Sequence, residues 1–490
     1  MRCAGAAAAA EIARRFPELL ASGVVIATGP GNNGGDGWVI AQWLHEAGIP
    51  VRVVECVEAR TADALAEQDA ARAIGVQVSR DRDSLANARE RIAVDAILGT
   101  GLRADSPLTG DASRGVAALH AFERRGGTVV ALDVPSGLDA SSGLHVGAAR
   151  CALTLTFGTV KRGQLVARER CGEIVALDIG LGVHVRAANG APLADARWFR
   201  DALPRIAADA HKGTRGKVAI VGGARGMAGA AILAARASLH SGAGLVKCVV
   251  APESLPALQE AVPAALATGW PADNEAARRD IGDWADAVLI GPGLGHEVRG
   301  LVERLLRSFK GPVVLDADAL NAFAGDADAL SPLVRDRAAL LTPHPAEFAR
   351  LAGNGATVDD VLGDRFEWPA RLAARTGASV LLKGVPTVVA APSGECIVVA
   401  EGTPILATGG AGDLLGGVAV TLLAQTNDAT LAGALGAFAH GRAAWHVSAR
   451  AVRGYTLDDV LHELPSVWSL EPPAARPPII AELPAVGEPR

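Results

Sequence analysis

The strongest constraint on this chain is a rhythm of short β-rich runs alternating with helical segments, and the runs fall into two series. The first holds "GVVIATG" (23–29), "VRVVECV" (51–57), "IAVDAIL" (92–98), "TVVALDV" (128–134), "ALTLTFG" (152–158) and "EIVALDI" (173–179). The second holds "KVAIVGG" (217–223), "LVKCVV" (245–250), "AVLIGPG" (287–293), "PVVLDAD" (312–318), "ALLTPH" (339–344), "SVLLKG" (379–384), "TVVAAP" (387–392) and "CIVVA" (396–400). Such alternation specifies mostly parallel strands crossed over by helices, so both series predict α/β domains with helices on both faces of a sheet. Helices are expected at 37–47, 61–74 and 111–125, and again at 412–425 and 429–449. Between the series, "VHVRAANGAPLADARWFR" (183–200) loses periodicity and reads as a linker carrying the start of a second domain. The proline-rich segment from 468 to 490 is expected to be an extended tail. The predicted organisation is a domain over 1–188, a domain over 195–467, and that tail.

Composition narrows the function classes. Aromatics make up only 4% of 490 residues, so the cores must pack Ala, Val and Leu. A net charge of −6 and a pI near 6.0 leave no general basic face, which argues against nucleic acid or an anionic membrane as the main partner. The six cysteines are scattered with no Cys-x-x-Cys pair, so neither a zinc site nor a disulfide framework is indicated, and free thiols in a reducing cytoplasm are expected. No run approaches the ~18 apolar residues of a membrane span. The Ala-rich start is interrupted by Glu11 and reads as an amphipathic helix rather than a leader.

Within this frame, glycine-rich polar clusters fall at strand ends. "ATGGAGDLLGG" (407–417) places Gly409, Gly410 and Gly412 before an apolar helix and beside one carboxylate, Asp413. Such a stretch is either an anion cradle at a helix N-terminus or a plain turn, with equal weight on residues alone. "GPGNNGGDGWVIAQWL" (29–44) follows the first strand, and its Asn32, Asn33 and Asp36 are more polar than a turn requires. It is no Gly-x-x-x-x-Gly-Lys-Ser/Thr loop, so an ordinary phosphate-loop nucleotidase is disfavoured. Asp95 lies on a strand that leads into 99–105, and Asp133, Ser136 and Asp139 follow the next strand. A buried strand carboxylate must be hydrogen-bonded or metal-bound, whereas Asp139 fits a local turn cap better. In the second half His344 sits between two prolines at a strand end, where ligand contact is favoured over a structural role, and Lys383 ends another strand as a positive charge for phosphate.

The order "GNNGGDG", "VDAILGTGL", "LDVPSGLD", "TFGTVKRG", "ALDIGLG" resembles the N-terminal domain of the NAD(P)HX repair proteins, a Rossmann-like three-layer epimerase fold, over nearly all of 1–182. The resemblance implies interconversion of the R and S epimers of hydrated NADH and NADPH. It implies a dinucleotide site lined by Asn32, Asn33, Gly34, Gly35 and Asp36 and by Gly99, Thr100, Gly101, Leu102, Arg103, Ala104 and Asp105, with Asp133 as the acid/base. It further implies K+ held by Asn33, Asp95 and Ser136. Relatives carry a helix before an "LMExAG"-like segment whose tail "MRCAG" resembles, so this domain is expected to lack its first helix.

The second half, through "HKG", "GMAGAA", "SGAGLV", "GPGLG", "LTPHPAEF" and "TGGAGDLLGG", resembles the ADP/ATP-dependent NAD(P)HX dehydratase branch of the ribokinase-like superfamily over about 195–465. This implies that Ala230, Gly295, His344 and Asp413 contact the hydrated dinucleotide, with Asp413 the catalytic base. Lys383, Gly384, Val385, Pro386 and Thr387, with Gly409, Gly410, Ala411 and Gly412, would hold ADP, with Mg2+ bridging its phosphates. Ala411 stands where relatives more often have Thr. The expected partners are NADHX, NADPHX and ADP, in a cytoplasmic homo-oligomer. The alternative is a ribokinase-like small-alcohol kinase carrying a non-catalytic N-terminal binding module.

Overall fold

The computed structural model describes residues 1–103, 108–182, 184, 190–269, 281–450 and 453–486. The chain divides into two compact units, one of Met1–Gly190 with Ala474–Arg490 and one of Ala191–Pro473.

The first unit contains β1 (Val24–Thr28), β2 (Val51–Glu55), β3 (Gln77–Ser79), β4 (Ile92–Ala96), β5 (Thr128–Leu132), β6 (Leu153–Phe157) and β7 (Glu173–Leu177), all parallel, in the spatial order 3-2-1-4-5-6-7. That order reverses direction between β1 and β4, the switch point where doubly wound sheets bind ligands beyond their carboxyl ends. Alternate side chains serve opposite faces. Ile26, Val94 and Val130 pack with Trp38, Ile40 and Leu44 of the helix Asn32–Glu46, while Val25, Ala27 and Val129 pack with Val116, Leu119 and Phe122 of the helix Gly110–Arg124. The N-terminal segment is helical over Arg2–Arg15, with Ala4, Ala8 and Ile12 buried.

The second unit contains β8 (Leu193–Ala194), β9 (Lys217–Val221), β10 (Leu245–Val250), β11 (Leu266–Gly269), β12 (Ala287–Ile290), β13 (Val313–Leu315), β14 (Ala339–Leu341), β15 (Ser379–Leu382), β16 (Thr387–Ala390) and β17 (Cys396–Val399), in the order 11-10-9-12-13-14-15-16-17-8. Only the β15–β16 and β16–β17 pairings are antiparallel. The helices Ala228–His240, Ala411–Thr426 and Ala429–Ser448 cover one face, and a second apolar layer built around Val302, Phe348 and Leu372 covers the other. Scarce aromatics are offset by close approach: a Cβ on Gly417 would lie 2.1 Å from the Ala234 carbonyl oxygen, so two helices nearly touch there.

Two expectations are corrected. The linker over 183–200 is shorter, because Leu193–Ala194 pairs in parallel with β17 and so belongs to the second sheet. The expected tail is not simply extended: β18 (Ile479–Leu483) pairs antiparallel with β7 at the edge of the first sheet. Leu483 is 2% exposed, and Arg15 and Arg476 hold Glu482. Prolines are tolerated there because edge strands and strand starts leave N–H groups unpaired, and Pro478 precedes the strand while Pro484 follows it. Among the described residues no helix is long and apolar enough to cross a membrane. The six cysteines are free.

Candidate active sites

In the first unit residues 29–31 form a short link after β1, and the glycine stretch from Asn32 on is already the start of the helix Asn32–Glu46. Tight packing explains its glycines: a Cβ on Gly34 would meet the Gly29 carbonyl oxygen at 2.1 Å, and one on Gly29 would lie 1.8 Å from that of Ile97. The turn is therefore seated directly against the end of β4. Asn32 is exposed, whereas both polar side-chain atoms of Asn33 are buried without a hydrogen-bond partner. A Cβ on Gly99 would stand 3.5 Å from the Asn33 side chain and 3.3 Å from Oδ2 of Asp133. Gly99 thus leaves a gap shared by these two side chains. Asp36 is buried, and that burial, opposed by the N-terminal amine and reinforced by Asp133, pushes its carboxyl up to about 7.

Asp133 is held with unusual firmness. Its φ of 61° is in the left-handed region, sparsely used by residues with a side chain. Its N–H donates to the Leu155 carbonyl at 2.8 Å, and its own carbonyl accepts from Nε2 of Gln164 at 2.7 Å. Oδ1 accepts from Nζ of Lys161 at 2.5 Å, leaving Oδ2 toward Gly99. Lys161 also donates to Oγ1 of Thr156 at 2.7 Å and to the Phe157 carbonyl at 3.0 Å, so its three ammonium protons are all engaged.

Asp95 is 1% exposed and accepts from Oγ of Ser136 at 2.6 Å and from the Ser136 N–H at 2.7 Å. Burial pushes its carboxyl up, and these hydrogen bonds oppose that. The Leu98 N–H donates to the same Ser136 hydroxyl at 2.8 Å, beside Gly99. Asp139 caps a turn, accepting from the N–H groups of Ser141 and Ser142. Thr100, Gly101, Leu102 and Arg103 lie in the loop after β4, and Ala104 and Asp105 lie outside the described residues.

In the second unit the helix begins at Ala411, with Gly410 in the left-handed region at φ 93°. Gly412 is helical. Of Gly409, Gly410 and Gly412 only Gly410 has positive φ, and the need for glycine at 412 is steric. A Cβ there would stand 3.1 Å from Nζ of Lys383 and 3.7 Å from Oδ2 of Asp316. Lys383 donates to Oδ1 of Asp316 at 2.6 Å, and Asp316 is 1% exposed. Burial disfavours the ammonium, yet Asp316, Glu347 and Asp413 together raise its pKa. Burial chiefly, then Asp316, Asp318 and Glu347, with Lys383 opposing, push the Asp413 carboxyl up to about 7.

The remaining expected residues gather around this cluster. The Gly295 N–H donates to Oδ2 of Asp318 at 2.8 Å. Ala230, in the first turn of its helix, packs against Gly293, where an added Cβ would stand 3.1 Å away. His344 has a structural task, because its Nδ1 accepts the Ala346 N–H at 3.2 Å as the N-cap of the helix Pro345–Ala352, and Glu347 returns the bond to the His344 N–H at 2.9 Å. Its Nε2 lies 3.4 Å from Glu347. Gly384 at φ 149° passes against Arg365, which donates to the Pro386 carbonyl at 2.9 Å, and Thr387 Oγ1 donates to the Gly384 carbonyl at 2.7 Å. Arg365 thereby fixes the loop Lys383–Thr387. Gly409 is exposed, directly before Gly410.

Sequence reasoning missed Lys161, Asp316, Asp318, Glu347 and Arg365. Asp316 directly follows the strand in the run "PVVLDAD" (312–318), where, as for Asp95, a buried strand-end carboxylate needs a partner.

A glycine-seated carboxylate beside a buried lysine at a helix N-terminus, joined on one chain to a doubly wound sheet with an Asp at its switch point, defines a two-site enzyme of nucleotide chemistry. Residues 218–466 match the family described as NAD(P)H-hydrate dehydratase, and residues 1–163 match the one described as YjeF-related protein N-terminus. The bifunctional NAD(P)H-hydrate repair enzyme of Salinibacter ruber is 36% identical over 95% of this chain and 91% of its own length. That of Escherichia coli is 32% identical over 91% and 85%. The ADP/ATP-dependent NAD(P)H-hydrate dehydratase of Bacillus subtilis, co-crystallised with ATP and Mg2+, superposes with a TM-score of 0.51 at 29% identity, over 58% of this chain and 99% of that one. The chain belongs to the bifunctional NAD(P)H-hydrate repair enzymes.

Proposed function

We propose that the first unit interconverts the R and S epimers of hydrated NADH and NADPH, and that the second dehydrates the S epimer to NAD(P)H while converting ADP to AMP and phosphate. The observation that carries the second half is the placement of Asp413 beside Lys383 at the first turn of the helix Ala411–Thr426, with Gly295 on Asp318 nearby. Asp413 takes the proton of the ring hydroxyl as its oxygen bonds to the terminal phosphorus of ADP and the bridging oxygen leaves with AMP. Loss of phosphate, with a proton from the neighbouring carbon, then restores the ring double bond. The unpaired N–H groups of the helix start and the Lys383 ammonium face the charge that develops on the phosphoryl oxygens. Mg2+ bound with ADP would supply further positive charge at the transferring phosphoryl group.

In the first unit, Asp133 Oδ2 faces the gap left by Gly99 and serves as the acid/base. It gives a proton to the ring hydroxyl, which leaves as water while the ring-nitrogen lone pair forms an iminium, and it takes a proton back as water adds to the other face. Lys161, its protons engaged, holds that carboxylate rather than donating to substrate. The oxygen donors of Asn33, Asp95 and Ser136 suit K+: the Asn33 side chain is buried and unpartnered, and a cation would offset the buried Asp95 carboxyl. K+ there would supply positive charge beside the dinucleotide.

The test is recovery of NADH absorbance from hydrated NADH with ADP and Mg2+, run on each epimer separately. Recovery from S alone would leave the first unit a binding module. No recovery from either, together with phosphorylation of a thiazole or pyrimidine alcohol, would replace the reading with a small-alcohol kinase.

A further inference from the structure

The ion pair between Lys383 and Asp316 lies where an unaided cation would be most disfavoured. The lysine is largely buried, and its Nζ stands at the positive end of the helix Ala411–Thr426, so desolvation and the helix dipole both oppose its charge. Asp316 offsets both with one short bond of 2.6 Å.

The helix is cut to receive this pair. Gly412 and Gly416 lie one turn apart on the same face, neither at positive φ, so backbone freedom is not what they supply. A Cβ at 412 would stand 3.1 Å from Nζ and 3.7 Å from Asp316 Oδ2, and a Cβ at 416 would stand 3.8 Å from that same Oδ2. The far oxygen of Asp316 therefore points over bare helix backbone rather than toward a substrate. The strand end that presents Asp316 is strained. Ala317 has φ 46°, a conformation rarely adopted by a residue with a side chain, and it lets Asp316 reach Lys383 while Asp318 reaches Gly295. Among the described residues Asp318, Glu347, His344, His440 and Asp413 are charged or titratable groups around the pair.

We infer that Asp316 is a positioning residue of the dehydratase reaction: with its far oxygen over Gly416 it holds the Lys383 ammonium against Gly412, at the helix start that receives the transferred phosphoryl group. The inference rests on the dehydratase reading. Asp316 bonds Lys383 directly and also raises the Asp413 carboxyl through its charge, so it acts on the transfer step rather than on nucleotide binding.

The test compares Asp316→Asn and Gly412→Ala with the unsubstituted protein in the absorbance assay with S-NADHX, ADP and Mg2+. Asp316→Asn is expected to lower kcat at least 100-fold with KM for ADP within threefold, while epimerisation in the same preparation continues. Gly412→Ala adds and removes no charge and replaces glycine by a better helix former. It is expected to leave Tm unchanged or raised, yet to lower kcat at least tenfold by pushing Nζ aside. Full kcat in either variant, or a loss confined to KM for ADP, overturns the inference. If Asp316→Asn does not fold, Gly412→Ala decides alone. Failure of the unsubstituted protein to dehydrate would instead sink the dehydratase reading, so the two failures are separable.

Discussion

Asp413 should weaken the fold that it serves, and the cost should depend on pH. Its carboxyl is raised from 3.8 to about 7, by burial first and by Asp316, Asp318 and Glu347 next. Between those values the folded protein keeps a proton that the unfolded chain has lost, so this group's contribution to stability declines as pH rises toward 7 and is constant above it. From pH 5 to pH 8 two of the pH units fall inside that window. At about 1.4 kcal/mol per unit, the decline is about 3 kcal/mol. Asp413→Asn keeps the shape and cannot ionise, so its advantage over the unsubstituted protein should grow by about 3 kcal/mol between pH 5 and pH 8. Denaturant unfolding of both proteins at the two pH values measures this, following the transition that ADP shifts and that therefore reports the second unit. The substitution should also abolish dehydration while R and S epimers still interconvert. An advantage of equal size at both pH values would refute the raised carboxyl, and with it the poised base.

Three further outcomes are expected. Lys161→Met removes the ammonium that holds Asp133 Oδ1, so epimerisation should fall about 100-fold, a size in keeping with loss of acid–base catalysis, and only the S half of a mixed hydrate should be recovered. Gly29→Ala places a Cβ 1.8 Å from the Ile97 carbonyl oxygen, a backbone atom that cannot step aside, and should destabilise the first unit by about 3 kcal/mol or more in chemical denaturation. Leu483→Ala empties a site that is 2% exposed on β18 and should cost the first unit about 2–4 kcal/mol while the ADP-shifted transition of the second stays in place.

The central strands were legible because their apolar, β-branched runs have no other use, and all of them form within a few residues of the expected bounds. The strands Gln77–Ser79, Leu193–Ala194, Leu266–Gly269 and Ile479–Leu483 were not. They are short edge strands, and pairing with a neighbour imposes their extension more than their own residues do. Lys383 and Asp413 stood out as charges beside strand-end glycines. Asp316 did not, because its meaning depends on a lysine 67 positions away, a pairing no local pattern displays. His344 was read for its chemistry, although Pro-x-Glu after it is also a helix-start signature, and the structure uses it as one.

The strand β18 has a consequence in time rather than in space. Roughly 300 residues separate it from its partner β7, and they encode the second unit. At a synthesis rate of about 5–20 residues per second, the first unit waits roughly 15–60 s on the ribosome for the strand that closes its sheet. Through that interval β7 presents an unpaired edge, the kind of surface on which nascent chains mispair. The epimerase half is therefore begun first and finished last, and its maturation is tied to completion of the dehydratase half encoded inside it.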